Sequence, residues 1–185
     1  GKIPSLKEFI KGGFVLGCTI MMSDELKECF PIPEAIGHDL FLCFHALVTG
    51  EIQKTDHPLI QYRLHGEQNW ESGSKNIFIR AQDALGHSPQ DYHDIIKIYS
   101  ILLDHTLELS SNELNVPKHR IIDLLLQKMR FLNTRAVAHD PSYSRSQRII
   151  SVLFELFITR RYNRFTKGLG SAKAVKDLIK ASLDI

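Results

Sequence analysis

Apolar and polar positions along the chain alternate with two different periods, and the change between them divides it. Residues 5–11 carry helix-spaced apolar positions ending at Gly12-Gly13. Phe14 to Met22 is a continuous apolar run with β-branched Val15, Thr19 and Ile20 and with Gly17-Cys18 inside it, which predicts a buried strand broken by a turn or bulge. Ser23 followed by Asp24-Glu25 predicts a helix start, acidic where the macrodipole favours it. That helix must be short, because Pro31 and Pro33 force extended chain. Gly37-His38-Asp39 opens a second helix. Leu40, Phe41, Phe44, Leu47 and Val48 share one face of it, and Gly50 is a natural residue after its end. Glu51–Thr55 and Leu59–Leu64 read as two strands about an Asp56-His57-Pro58 turn, and Gly66–Ser74 as a polar surface loop.

Beyond about residue 75 the pattern is helical throughout. Tyr92–Leu109 points Ile95, Ile96, Tyr99, Leu102 and Leu103 inward. Ser110–Val116 is a break, and Pro117 sits near the next helix start, where its missing N–H costs least. That helix buries Ile121, Leu124, Leu125, Met129 and Leu132. Asp140-Pro141 breaks the chain again, Tyr143 to about Tyr162 forms an apolar and basic helix, Gly168–Gly170 is a loop, and Ser171 caps a last helix through Leu183. The expected fold class is therefore α+β and mostly helical, with a first region 1–74 and a helical C-terminal region 75–185.

Composition changes this picture in two places. With 185 residues and 43% apolar content, the chain can bury a real core. The net charge of +2 hides an uneven distribution. Residues 145–180 hold nine Lys/Arg against Glu155 and Asp177, so the chain before Arg145 is mildly acidic. A charged solvated face is the ordinary reading of such a run. Ile149, Ile150, Leu153, Phe154, Phe157 and Ile158 beside Arg160-Arg161 and Arg164 also suit a helix lying on anionic lipid. Nucleic acid is a poorer fit, because the basic residues are not interleaved with stacking aromatics in a known module. Cys18, Cys29 and Cys43 are odd in number, form no C-x-x-C and lie among apolar residues, as reduced buried thiols of a cytoplasmic protein do. No apolar run approaches the length of a membrane span. The chain opens on Gly-Lys-Ile-Pro, as a piece of a longer protein would.

The chemistry concentrates between Gly17 and His65. The run G-C-T-I-M-M-S-D-E-L from Gly17, P-I-P-E from Pro31, the His38-Asp39 pair with apolar residues after it, and H-P-L-I-Q-Y-R-L-H-G from His57 resemble the second half of the catalytic domain of family 2 glycosyltransferases. The bacterial rhamnosyltransferase-like enzymes of cell-surface polysaccharide synthesis are the nearest kind. R-S-Q-R-I-I from Arg145 and R-R-Y-N-R-F-T-K-G-L from Arg160 are similar to the helical tail of those proteins. Leu40-Phe41 stand where the family often has tryptophans, and Asn69 lies four residues after His65 where the family reaches an Asn within three.

The resemblance implies the acceptor half of an A-type glycosyltransferase fold followed by a helical extension. The donor half is missing: no Asp-x-Asp motif occurs in the 185 residues, so this chain alone is expected to be inactive. In the intact enzyme the implied reaction is inverting transfer from a nucleotide-sugar donor to a glycan or lipid-linked glycan. It needs a base for the acceptor hydroxyl and positive charge for the departing diphosphate. Asp39, at the positive end of a helix, suits the base, unless it simply caps that helix. His38 would orient it or the acceptor. Gly17, Cys18, Tyr62 and Arg63 are substrate-binding candidates, and His65 is a candidate ligand of a divalent metal, Mg or Mn. The implied location is cytoplasmic, at the inner face of the membrane. Two other readings compete. An HD-type phosphohydrolase requires a histidine upstream of His38, and there is none. A non-catalytic helical interaction or membrane-surface module requires no site at all.

Overall fold

The computed structural model describes residues 5–11, 21, 23–50, 52–53, 88–166 and 170–183. Among them the chain is mostly helical and contains no strand. The strand expected at 59–64, that expected at 14–22 apart from Met21, and most of that expected at 51–55 lie outside the described residues; Met21, Ile52 and Gln53 have no regular structure.

Helix α1 (Leu6–Ile10) is begun by a capping box, in which Ser5 and Glu8 satisfy each other's backbone N–H groups. Asp24–Cys29 forms a 3-10 helix rather than an α-helix, and Ser23 precedes it without a side-chain cap. Helix α2 (His38–Thr49) ends at Gly50. Gly50, at φ −134°, is not in the left-handed region expected of a glycine terminator. Helix α3 (Pro89–Glu108) starts three residues earlier than its apolar period does. Ser88 and Asp91 form a capping box around Pro89, and these polar residues carry no hydrophobic signal. Helix α4 (Lys118–His139) follows Pro117 and stops at Asp140, whose carboxylate accepts the Ser142 N–H at 2.8 Å.

The helix expected over Tyr143–Tyr162 is three pieces. Helix α5 (Arg145–Leu153), capped by Ser144 and Gln147, runs into a π-helical turn (Phe154–Ile158). Arg160 then takes a left-handed φ of 53° before the short α6 (Arg161–Phe165). The break coincides with a carboxylate held from two elements. Glu155 is buried, and its carboxylate draws in the Arg161 guanidinium at 2.7 Å and the hydroxyls of Thr134 and Thr159. The last helix, α7 (Gly170–Leu183), begins at Gly170, so Ser171 lies inside it rather than capping it. A Cβ at Gly170 would sit 2.6 Å from the Tyr162 carbonyl oxygen, so the close approach of α6 to α7 requires glycine.

One core unites these helices. Phe9, Ile10, Phe41, Phe44 and Val48 cluster with Leu102, Ile121, Leu125, Phe131 and Val152, so residues on both sides of position 74 share it. The Asn115 N–H donates to the Val48 carbonyl at 2.9 Å and the Tyr99 hydroxyl to that of Ile10 at 3.1 Å, so backbone polar groups near the seam are also matched. Of the expected inward positions, Leu102, Ile121, Leu125 and Leu132 are buried, while Ile95, Ile96, Leu103, Leu124 and Met129 are half-buried.

Candidate functional site

The start of α2 is built by backbone and packing rather than by a capping side chain. Gly37 is extended at φ −62° and ψ 134°, and its carbonyl accepts the Phe41 N–H at 3.0 Å. Ile36 and Phe41 flank that first turn and lie in the same core cluster, the arrangement of a hydrophobic staple. With Cys43, Phe44 and Val48 also buried, the helix is fixed along its length.

Asp39 stands in the first turn, half-buried, and His38 beside it is exposed. One Asp39 oxygen, Oδ1, accepts the Leu40 N–H at 2.9 Å, which satisfies one of the helix's free N-terminal donors. Among the described residues the second oxygen has no hydrogen-bond partner. The carboxylate thus has one structural contact among the described residues. A Cβ on Gly37 would come within 3.0 Å of Asp39 Oδ1, so glycine leaves the room this carboxylate occupies.

Of the seven residues singled out in the sequence, the structure places His38 and Asp39 together. Gly17, Cys18, Tyr62, Arg63 and His65 lie outside the described residues. Cys43 is buried and forms no disulfide among the described residues. Cys29 likewise forms none, its thiol 2.8 Å from the Leu26 carbonyl and pushed up in pKa by burial. Among the described residues no group of three or more His, Cys, Asp or Glu side chains could hold a metal ion.

Three polar clusters were not visible in the sequence. His45, two turns along α2 from His38, meets His105 of α3 with Nδ1 and Nε2 2.8 Å apart, so one ring donates and the other accepts. Burial lowers the pKa of both, with the mutual charge adding to it at His105. Phe41 packs on the His105 ring at 4.7 Å, so this pair clasps the site-bearing helix to α3. The second cluster surrounds Asp177, which is fully buried on α7. Arg135 binds it through Nε at 2.6 Å and Nη2 at 2.9 Å, His139 Nε2 lies 3.0 Å away, and the Tyr162 hydroxyl donates at 2.6 Å. Burial pushes the Asp177 carboxyl up, but the hydrogen bonds from His139, Arg135 and Tyr162, with the Arg135 charge, hold it well below the usual carboxylate range. In the third, the Lys128 ammonium group is buried, donates to the Phe165 carbonyl at 3.1 Å, and is brought down to about 7 by burial and by the charges of Arg135 and Lys173. The Asp177 partners were hidden because they come from different helices. The i, i+4 spacing of Arg135 and His139 on α4 was their one local trace.

No family model, curated protein or solved structure matches this chain. The described part is defined as a mostly helical fold carrying a histidine–aspartate pair at the mouth of a core-anchored helix. No helix among the described residues is long and apolar enough to cross a membrane.

Proposed function

We propose that this chain is the acceptor-side part of an inverting glycosyltransferase, in which Asp39 takes the proton of the acceptor hydroxyl. The observation that carries the reading is the Asp39 carboxylate: held by one oxygen on the Leu40 N–H, with its other oxygen unpartnered among the described residues, at the start of a helix locked into the core. A base must be positioned and free on one side to take the acceptor's proton. The motif around it, from Gly17 to His65, supplies the rest of the argument by resemblance.

In this reading the acceptor oxygen attacks the anomeric carbon as the bond to the diphosphate breaks, and its proton passes to Asp39. Exposed His38 orients the acceptor. Tyr62, Arg63, Gly17 and Cys18 belong to the substrate-binding surface. His65 is the candidate ligand of a divalent metal, which in the intact enzyme would supply positive charge to the departing diphosphate. The sugar-nucleotide half lies in chain beyond these residues, and the protein works at the cytoplasmic face of the membrane. In the intact enzyme, Asp39→Asn is expected to abolish transfer while donor binding stays nearly unchanged; near-normal transfer removes Asp39 from the mechanism.

A further inference from the structure

We infer that the outer face of α5 and the π-helical turn is a docking surface for an anionic lipid bilayer. Ile150, Phe154, Phe157 and Ile158 are 63%, 51%, 67% and 70% exposed. They recur at intervals of four, three and one, so they form a single stripe along the helix. Residues of these types are normally the most deeply buried. Four together, each more than half open to water, form a contiguous apolar patch rather than scattered surface residues.

The opposite face keeps the stripe in place. Arg148, Val152 and Glu155 are buried, and Ser144 with Gln147 caps the helix start. The π-helical turn carries Phe154, Phe157 and Ile158 outward while sending Glu155 inward to Arg161. The stripe is therefore a rigid feature of the fold and not a frayed end.

Charge selects the partner. Residues 145–180 contain two acidic side chains, Glu155 and Asp177, and both are buried in ion pairs. Every exposed charge of that region among the described residues is consequently positive, with Arg145, Arg160 and Lys173 exposed. An exposed apolar stripe in a region (145–180) whose exposed charges among the described residues are all basic matches a helix that lies in the headgroup region of acidic lipid. A bilayer presents anionic headgroups above acyl chains, which suits both features. The inference does not depend on the transfer chemistry proposed above.

The test is flotation of the full chain with phosphatidylcholine vesicles containing about one-third phosphatidylglycerol, against pure phosphatidylcholine, at low and high salt. The expected result is binding to the anionic vesicles that weakens with salt, and far less binding to the neutral ones. Phe157→Ser with Ile158→Ser, both exposed and so expected to leave the melting temperature unchanged, should weaken binding by about tenfold or more. Arg160→Asn keeps a residue that tolerates left-handed φ and should cost about fivefold. No flotation, flotation indifferent to salt, or equal flotation by the folded double variant overturns the inference. So does a concentration-dependent dimer that the double variant abolishes while vesicles are ignored, since the stripe would then face a second copy.

Discussion

Asp39 and Gly37 are coupled through a single distance. The Asp39 carboxylate occupies space that any Cβ at Gly37 would crowd at 3.0 Å, yet the backbone of Gly37 is ordinary extended chain that alanine adopts freely. Gly37→Ala should therefore leave the fold within about 1 kcal/mol of wild type while shifting the carboxylate by a few tenths of an ångström. If Asp39 is the base, transfer by the intact enzyme should fall by up to about tenfold, since a misplacement of about 1 Å can cost about a hundredfold. Unchanged turnover would show that the position of this carboxylate is not critical. At this scale His38 and Asp39 were legible because a polar pair before an apolar helix is a local signal. His45 was not, since its meaning depends on His105, sixty residues away. Lys128 reads as a solvated residue by type, and it is buried because its helix face is enclosed by Tyr99 and Phe165 from other elements.

The helices themselves were largely legible, because apolar period, proline and cap residues are all local. α2, α3 and α4 fall where their periods place them, and Asp140-Pro141 ends α4 as expected. Failures cluster where tertiary contacts override local preference. The single helix expected over Tyr143–Tyr162 is broken at the ion pair of Glu155 with Arg161, a pairing that the apolar pattern does not carry. Gly170 illustrates the energetic side. Alanine is favoured over glycine inside a helix by about 1 kcal/mol, but here its methyl would meet backbone atoms of Tyr162 below 3.0 Å. The backbone cannot yield as a side chain would, so Gly170→Ala should destabilise the fold by about 1–3 kcal/mol. A chemical denaturation midpoint equal to or above wild type would refute that close approach.

For the whole molecule, the core that joins residues before and after position 74 is fastened at its far end by Asp177. That carboxylate ties α7 to α4 and α6 through Arg135, His139 and Tyr162. Asp177→Asn would leave the largely enclosed Arg135 cation without its counter-charge, so a loss of about 3 kcal/mol is expected. The pH dependence has a definite sign. The Asp177 carboxyl is held below its ordinary value of 3.8, so its contribution is complete above that value and is lost as pH falls beneath it. Thermal unfolding from pH 7 to pH 3 should show a drop below about pH 4 that is smaller in Asp177→Asn. A variant that follows the wild-type acid profile would place the acid sensitivity elsewhere. The order of α1, α2, α3 and α4 was readable in the sequence, whereas their mutual packing was not, because the ties between them are single long-range pairs.

The account turns on Asp39 as the transfer base, and the most direct measurement is single-turnover transfer by the intact enzyme carrying Asp39→Asn, with donor affinity measured by calorimetry on the same preparation. The predicted result is a rate lowered by about 10²–10⁴-fold, with an unchanged melting temperature and a donor affinity near that of wild type. Transfer at a near-normal rate by the folded variant would contradict the account.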